Sequence, residues 1–549
     1  MGSIQTPPTN GVQLPTIKLD YTLSELYRRA CPEAADVRFG WVPCGITSAV
    51  DLTQDLARNT KYVYVDQILV KTASHELRNG NPMLQRSLAK KYLGHIAQRD
   101  AFVSGRAPVI FFHMGRTPGE MEHDRREAEA TLSVLPPSQQ PELIFCPGPS
   151  DIPLAEHGIE KLLYKLAVDK FETLPLTHPL EAHWWLNSKA ALARSGLPTP
   201  RCDIIETECP PPVTPEECCG LCAETAAIAA AASVSSGHHP LPTIPRGCSG
   251  PRRRWLDAQA ERVAAAVRAR PVPFVFKTQQ SFGGAGTWLV KTEAQRAQPL
   301  DDLLASPDDG VDDVQASGGE KRKGWGFLGK LLPLLTPENA HLSPTAVLLT
   351  DLVADPRADY GLTFVVSASG KAHFLAASEQ MLTEDGSSAW IGSRIDYGRQ
   401  DELGAKFAPL MARIAAWVAE RGYAGPVGAD VLESSSSNGD EGDGGGEYFI
   451  VDLNVRACGS ISLPLLRGHF VSRGLDYASS FSVTVRGGRA EFMDRWRLPL
   501  EEGRMLILSW WEDREADESI ADVVVGAEDE PALAEWMKRV RDCTEEVTF

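Results

Sequence analysis

Short apolar runs separated by amphipathic, charge-rich stretches dominate the first third of the chain. TKYVYVDQILV (60–70), APVIFFHMG (107–115) and PELIFCPG (141–148) read as strands, and MLQRSLAKKYLGHIAQRDAFV (83–103) reads as an amphipathic helix. This alternation predicts an α/β layer with a mainly parallel sheet over residues 17–175, after a Pro-rich, disordered stretch over 1–16. Beyond residue 176, HPLEAHWWLNSKAALARSGLPTPRCDII (178–205) predicts a helix stopped at Gly196, with Pro198 and Pro200 after it and then a short strand. The best strand patterns lie at 272–291, 345–382 and 422–456. Three segments interrupt them: 207–254, with Pro, Cys and an Ala-rich tract; 304–340, acidic and then Gly/Lys-rich and apolar; and SSSSNGDEGDGGG (434–446). Inserts of this composition are expected on surface loops, outside the core.

Length and charge narrow the classes. A chain of 549 residues is too long for one core, and at ~150 residues each about three domains are expected. The 55 basic against 73 acidic side chains give a net charge of −18, which argues against nucleic acid or an anionic membrane as partner. No apolar run approaches the ~20 residues of a membrane-spanning helix. MGSIQT loosely fits a myristoylation pattern at Gly2 and Thr6, but Pro7 and Pro8 follow and no polybasic stretch is nearby. The eleven cysteines are odd in number and thinly spread, which predicts reduced thiols and a cytoplasmic setting. In CPPPVTPEECCGLC (209–222) only Cys219 and Cys222 have zinc-ligand spacing, so this segment reads as a solvated insert.

Three segments carry candidate chemistry. In PFVFKTQQSFGGAGTWLV (273–290) a β-rich run leads into a loop holding Ser281, Gly283, Gly284 and Gly286, and a second strand follows. Such glycines let backbone N–H groups approach phosphate oxygens, and Lys277 on the preceding strand adds a point charge. There is no Gly-Lys-Ser/Thr ending and no following helix, so this is neither a Walker loop nor a dinucleotide fingerprint. In GYAGPVGADVL (422–432) and EYFIVDLNVRACGSISLP (447–464) two strands flank the polar insert and are expected to pair as a hairpin. Asp452, Asn454 and Arg456 then share one face, Val451, Leu453 and Val455 pack on the other, and Asp430 projects beside the first three. Two carboxylates and an amide oxygen are the hard ligands Mg²⁺ prefers, and Arg456 suits an anionic group beside it. In TAVLLTDLVADPRADYGLTFVV (345–366) an apolar strand with Asp351, Leu352 and Val353 can line an adenine pocket, and Asp359 can hold ribose hydroxyls. Arg394, Gly459 and Ser460 are candidate substrate contacts.

In this order the pieces over residues 178–470 resemble the ATP-grasp superfamily. Lys189 precedes SGLPTP (195–200), Lys277 precedes SFGGAG, and the acidic strand residues Asp430, Asp452, Asn454 and Arg456 follow. The resemblance extends in detail to fungal ATP-grasp proteins of specialised metabolism. It implies an α/β chain, α+β in the ATP-grasp part. A preceding N-terminal domain would be followed by a lid subdomain (176–344) and a core subdomain (345–549), with the nucleotide in the cleft between them. It further implies ATP held by Lys189, Lys277 and the glycine loop, with two Mg²⁺ ions (Mn²⁺ a possible substitute) on Asp430, Asp452 and Asn454. Lys277 and Arg456 would be catalytic, with Arg456 also contacting substrate. The implied reaction phosphorylates a small-molecule carboxylate and couples it to an amine, releasing ADP and phosphate; a homodimer is possible. An ATP-binding module without turnover, and a kinase or carboxylase on the same scaffold, are the alternatives. The family more often has Glu where Asp452 stands, and the inserts at 207–254 and 304–340 are not family features.

Overall fold

The computed structural model describes residues 11–546 apart from 44, 72–81, 116, 237–240, 282–283, 297–324, 355, 383–389, 435–446 and 515–516. Gly2, Thr6, Gly283, the first part of the 304–340 insert and nearly all of the 434–446 loop therefore lie outside the described residues.

Three sheets organise the chain. The first is parallel, in the order β3 (Glu142–Cys146), β2 (Pro108–Phe112), β1 (Phe39–Val42), β4 (Lys161–Tyr164). Its crossovers include the helices Pro82–Ser104 and Pro118–Leu132, the latter opened by a reciprocal Thr117–Glu120 capping box. The second is antiparallel, in the order β5 (Cys202–Ile205), β8 (Val347–Asp351), β6 (Phe274–Thr278), β7 (Thr287–Val290). The third, also antiparallel, follows the path β13 (Glu447–Asn454), β12 (Gly425–Ser434), β9 (Ala358–Val366), β10 (Ala372–Leu382), β11 (Trp390–Asp396), β14 (Tyr477–Arg486), β16 (Glu518–Ala527), β15 (Met505–Asp513). The chain is thus α/β at its N-terminal end and α+β beyond it.

Several local expectations are corrected. Residues 60–70 do not form a strand: Val65 makes a single parallel bridge to Ser281, and a short helix, Gln67–Lys71, follows. Those apolar side chains pack around Trp184 instead, with Tyr62 and Tyr64 rings 5.9 and 4.9 Å from it. The helix expected through 178–196 is two helices, Leu180–Leu186 and Lys189–Ala193. They break at Asn187, whose side chain serves β13, and Ser188 caps the second by accepting from Ala191 N–H. β8 belongs to the smaller sheet, so the passage to the large sheet falls between Asp351 and Ala358 and not at residue 345.

The apolar end of the 304–340 insert is core, not surface. Trp325, Phe327, Leu328, Leu331 and Leu332 are all buried. Their run packs with the helix Pro251–Ala269, where Trp325 Nε1 donates to Asp257 Oδ1 (2.6 Å), and on Trp288 of β7. The N-terminal layer is joined to the large sheet through helix Pro82–Ser104. Gln98 Nε2 donates to Trp510 O (2.7 Å) and its Oε1 accepts from Trp510 N (3.0 Å).

Candidate active site

A cavity of about 360 Å³ opens where the three sheets meet, within the range of small-molecule sites. The smaller sheet supplies Lys277, Ser281, Gly284 and Thr287; the large sheet supplies Asp359, Gln380, Ser393, Asp430, Asp452 and Asn454; the N-terminal layer supplies Asp66, Arg99 and Lys165.

Backbone register builds the acidic wall. β12 and β13 are antiparallel, with Asp430 opposite Asp452 and Gly428 opposite Asn454. A register shift follows: Asp430 pairs with Asp452 but Val431 with Ile450, so Val451 is an extra residue on β13. The bulge breaks the simple alternation. Leu453 and Val455 are buried as expected, but Val451 joins the cavity wall and its carbonyl accepts from Lys277 Nζ at 2.7 Å. Arg456, just past the strand, also lines the cavity, and its Nη1 donates to Asn187 Oδ1 (2.7 Å). Asn187 Oδ1 also accepts from Val455 N (2.9 Å), while His183 Nε2 meets Val455 O (3.0 Å). The Leu180–Leu186 helix and its end therefore clamp the exit of β13 and aim Arg456.

The charges in this wall are strongly coupled. Lys189 Nζ lies 3.5 Å from Asp452 Oδ1 and donates to Ser281 Oγ at 3.2 Å. Burial would raise the Asp452 carboxyl, but Lys189, Lys277 and Arg456 outweigh it and hold the group below its ordinary value. Asp430 behaves oppositely: burial first, then the charges of Asp452 and Asp359, push it up to about 8. Gln380 Nε2 donates to its Oδ1 (2.7 Å), and Gln380 Oε1 is itself fixed by Trp390 Nε1 (2.6 Å) and Ser393 Oγ (3.2 Å). Gly361 lies under this side chain, where a Cβ would stand 2.6 Å from Gln380 Nε2. Burial also raises Asp359 to about 6, and its buried Oδ1 has no hydrogen-bond partner. Burial lowers Lys277, an effect that Asp452 partly offsets. Two facing carboxylates, Asp430 driven towards protonation, and the Asn454 amide oxygen are a donor set suited to a hard divalent cation.

The glycine loop closes the opposite side. Gly284 and Gly286 have φ of +80° and +68°, and a Cβ on Gly286 would overlap the Thr278 side chain, so the turn requires glycine at that position. Thr278 N donates to Gly286 O (2.9 Å), and Val65 N to Gln280 O (2.9 Å), tying the loop to the 60–70 segment.

Not every expected residue reaches the cavity. Arg394 points away: Ser393 takes the cavity face of β11, so its neighbour faces outward, where it pairs with Glu379 (2.6 Å) and Glu530 (2.9 Å). The Asp351 carboxylate is bound by Arg270, which also holds Asp203, and Asp351, Leu352 and Val353 stand outside the cavity lining. Gly459 and Ser460 do line it, Gly459 beneath Trp390, with Ser460 Oγ 3.2 Å from Thr363 Oγ1.

Arg99 and Lys165 were not anticipated. Leu93, Ile96 and Arg99 recur every three residues along helix Pro82–Ser104, which turns all three to the cavity. Arg99 Nη1 lies 3.6 Å from Asp522, and its buried Nε has no hydrogen-bond partner. Lys165 Nζ is held by Asp100 (2.6 Å). A polar residue at a helix-face position otherwise filled by Leu and Ile was the available signal.

No family model matches the chain, and no curated protein matches it in sequence. Solved structures resemble it along most of its length. N5-carboxyaminoimidazole ribonucleotide synthetase from Thermus thermophilus is 12% identical, with a TM-score of 0.42 over 93% of this chain and 99% of that one. Phosphoribosylamine–glycine ligase from Thermotoga maritima is 10% identical, with a TM-score of 0.42 over 93% and 98%. Biotin carboxylase from Campylobacter jejuni is 9% identical, with a TM-score of 0.41 over 94% and 93%. Among the described residues, no helix is long and apolar enough to cross a membrane.

Proposed function

We propose that this chain is an ATP-grasp enzyme that phosphorylates a small-molecule carboxylate with Mg-ATP and joins the acyl-phosphate to an amine, releasing ADP and phosphate. The observation that carries the reading is the Asp430–Asp452 pair across β12 and β13, with Lys189, Lys277, Asn454 and Arg456 gathered around it. Mg²⁺ held by Asp430, Asp452 and Asn454 would supply positive charge to the phosphate oxygens.

The protein's own groups then divide the work. Lys277 and Lys189 place ammonium charges beside the γ-phosphoryl oxygens, where phosphoryl transfer spreads negative charge. Arg456, aimed by Asn187, offers a fork to an acyl-phosphate or carboxylate. On the far wall Arg99 lines the cavity and would place its guanidinium charge beside the substrate carboxylate. Ser281 and Gly284, on the wall opposite the acidic strands, would help to exclude water from the acyl-phosphate, which hydrolyses readily. Asp359 lines the cavity and would accept from ribose hydroxyls.

Carboxyl-¹⁸O substrates test the covalent route. Incubation with Mg-ATP and pooled labelled amino acids is expected to leave one ¹⁸O in the released phosphate and to give a product mass reduced by water. A conjugate formed without label in phosphate would refute the acyl-phosphate step.

A further inference from the structure

Between β5 and the helix Pro251–Ala269, the described residues of 206–250 include the helices Pro215–Cys218 and Gly220–Ser236 and have almost no interior. Among the described residues from Glu206 to Gly247, Cys222 alone is buried. Leu221, Ile228 and Val234, on the helix Gly220–Ser236, are 45%, 63% and 90% exposed. Burial of apolar surface does not hold this segment, and small units lacking a core are commonly stapled by disulfides or metal.

The cysteines converge. Cys248 Sγ lies 3.6, 3.5 and 3.4 Å from the sulfurs of Cys218, Cys219 and Cys222, and all four sulfurs lie within 4.8 Å of one another. A disulfide would bring one pair to about 2.05 Å. Four sulfurs at about 2.3 Å from a central Zn²⁺ form a tetrahedron with edges of about 3.8 Å. The separations fit the tetrahedron.

The surroundings support the same geometry. Cys219 Sγ accepts from the backbone N–H groups of Cys222 and Leu221, and Cys248 Sγ from that of Gly250, the kind of outer contact that orients thiolate ligands. Gly250, two residues after Cys248, is sterically fixed: a Cβ there would overlap the sulfur and carbonyl of Cys218. Sequence spacing alone offered only Cys219 and Cys222, because Cys248 follows 26 residues later.

We propose that Cys218, Cys219, Cys222 and Cys248 bind a structural Zn²⁺ that fastens this insert to the start of the helix Pro251–Ala269. Four protein ligands leave no open position for substrate or water, and none of the four lines the cleft, so the site is structural and separate from the proposed chemistry. Elemental analysis of the full chain, purified without chelator, should find about one zinc per chain. Cys222→Ser and Cys248→Ser should each abolish retention, while Cys209→Ser, at an exposed thiol outside the cluster, should keep it. Should the cluster variants fail to fold, wild-type protein answers independently. Co²⁺ exchange should give the visible bands of tetrahedral thiolate cobalt, and chelation should expose residues 206–250 to proteolysis that added Zn²⁺ reverses. A chain that carries no metal and takes up no Co²⁺, iron in place of zinc, or a disulfide among the four thiols would overturn the assignment.

Discussion

Asp452 and Asn454 do different work although two residues apart on one strand. Asp452 stands against Lys189 and opposite Asp430, whereas Asn454 stands opposite Gly428, with the Cys458 side chain packed over that glycine. Asp452→Asn and Asn454→Ala should each lower kcat by about 10²-fold or more while the fold, followed by circular dichroism, is retained. Arg99→Gln should raise KM for the carboxylate about tenfold with little change in KM for ATP, as loss of one charged hydrogen bond implies. Steady-state kinetics against each substrate separates the two. The acidic set was legible in the sequence because strand alternation fixes which residues share a face. Arg99 and Lys165 were not, since they come from a layer hundreds of residues away. Arg394 failed for a narrower reason: alternation says that Ser393 and Arg394 face opposite ways, but not which faces the cleft.

The helix Pro118–Leu132 meets β15 through a charged contact whose pH dependence can be worked out. His123 Nε2 lies 3.1 Å from Glu512 Oε2, and Glu512 Oε1 accepts from Arg489 N and Trp510 Nε1. Burial would raise Glu512, but His123 and these N–H donors outweigh it and hold the carboxyl at about 2, below its ordinary 4.5. Its contribution is therefore complete above about pH 4.5 and is lost as pH falls towards 2. His123 is raised from 6.5, chiefly by its bond to Glu512, so its contribution is present below that value and is lost as pH rises through the raised one. Glu512→Gln should cost about 1–3 kcal/mol between pH 5 and 6, and the gap from wild type should close near pH 2 in denaturant titrations. Gly286→Ala should lower kcat severalfold through the loop, since both its φ and the Thr278 side chain refuse a Cβ. At this scale the sequence conveyed β2, β3, the long helix after Pro82 and the β12–β13 hairpin. It misled where apolar residues serve another purpose: 60–70 wraps Trp184, and 325–335 fills the base of the smaller sheet. The Val451 bulge has no pattern of its own, because one inserted residue looks like a flaw in alternation.

At the scale of the whole molecule the cleft depends on three layers staying in register. Arg489, following β14, donates through Nε to Glu127 (2.5 Å) and through Nη2 to Glu127 O (3.0 Å), fixing the C-terminal strands to the N-terminal layer. Removing one partner of a buried pair leaves the other charge stranded, so Arg489→Met should destabilise by about 3–5 kcal/mol in equilibrium unfolding. The N-terminal parallel layer was readable from the alternation of strands and helices, whereas the meeting of three layers at one cavity depends on contacts between distant segments. The most direct test of the central claim is the nucleotide formed on incubation of the full chain with Mg-ATP and mixed carboxylate and amine pools. ADP and orthophosphate in equal amounts, appearing with a dehydrated conjugate and absent with Asp452→Asn, is the result expected. AMP and pyrophosphate, or turnover unchanged by Asp452→Asn, would contradict it.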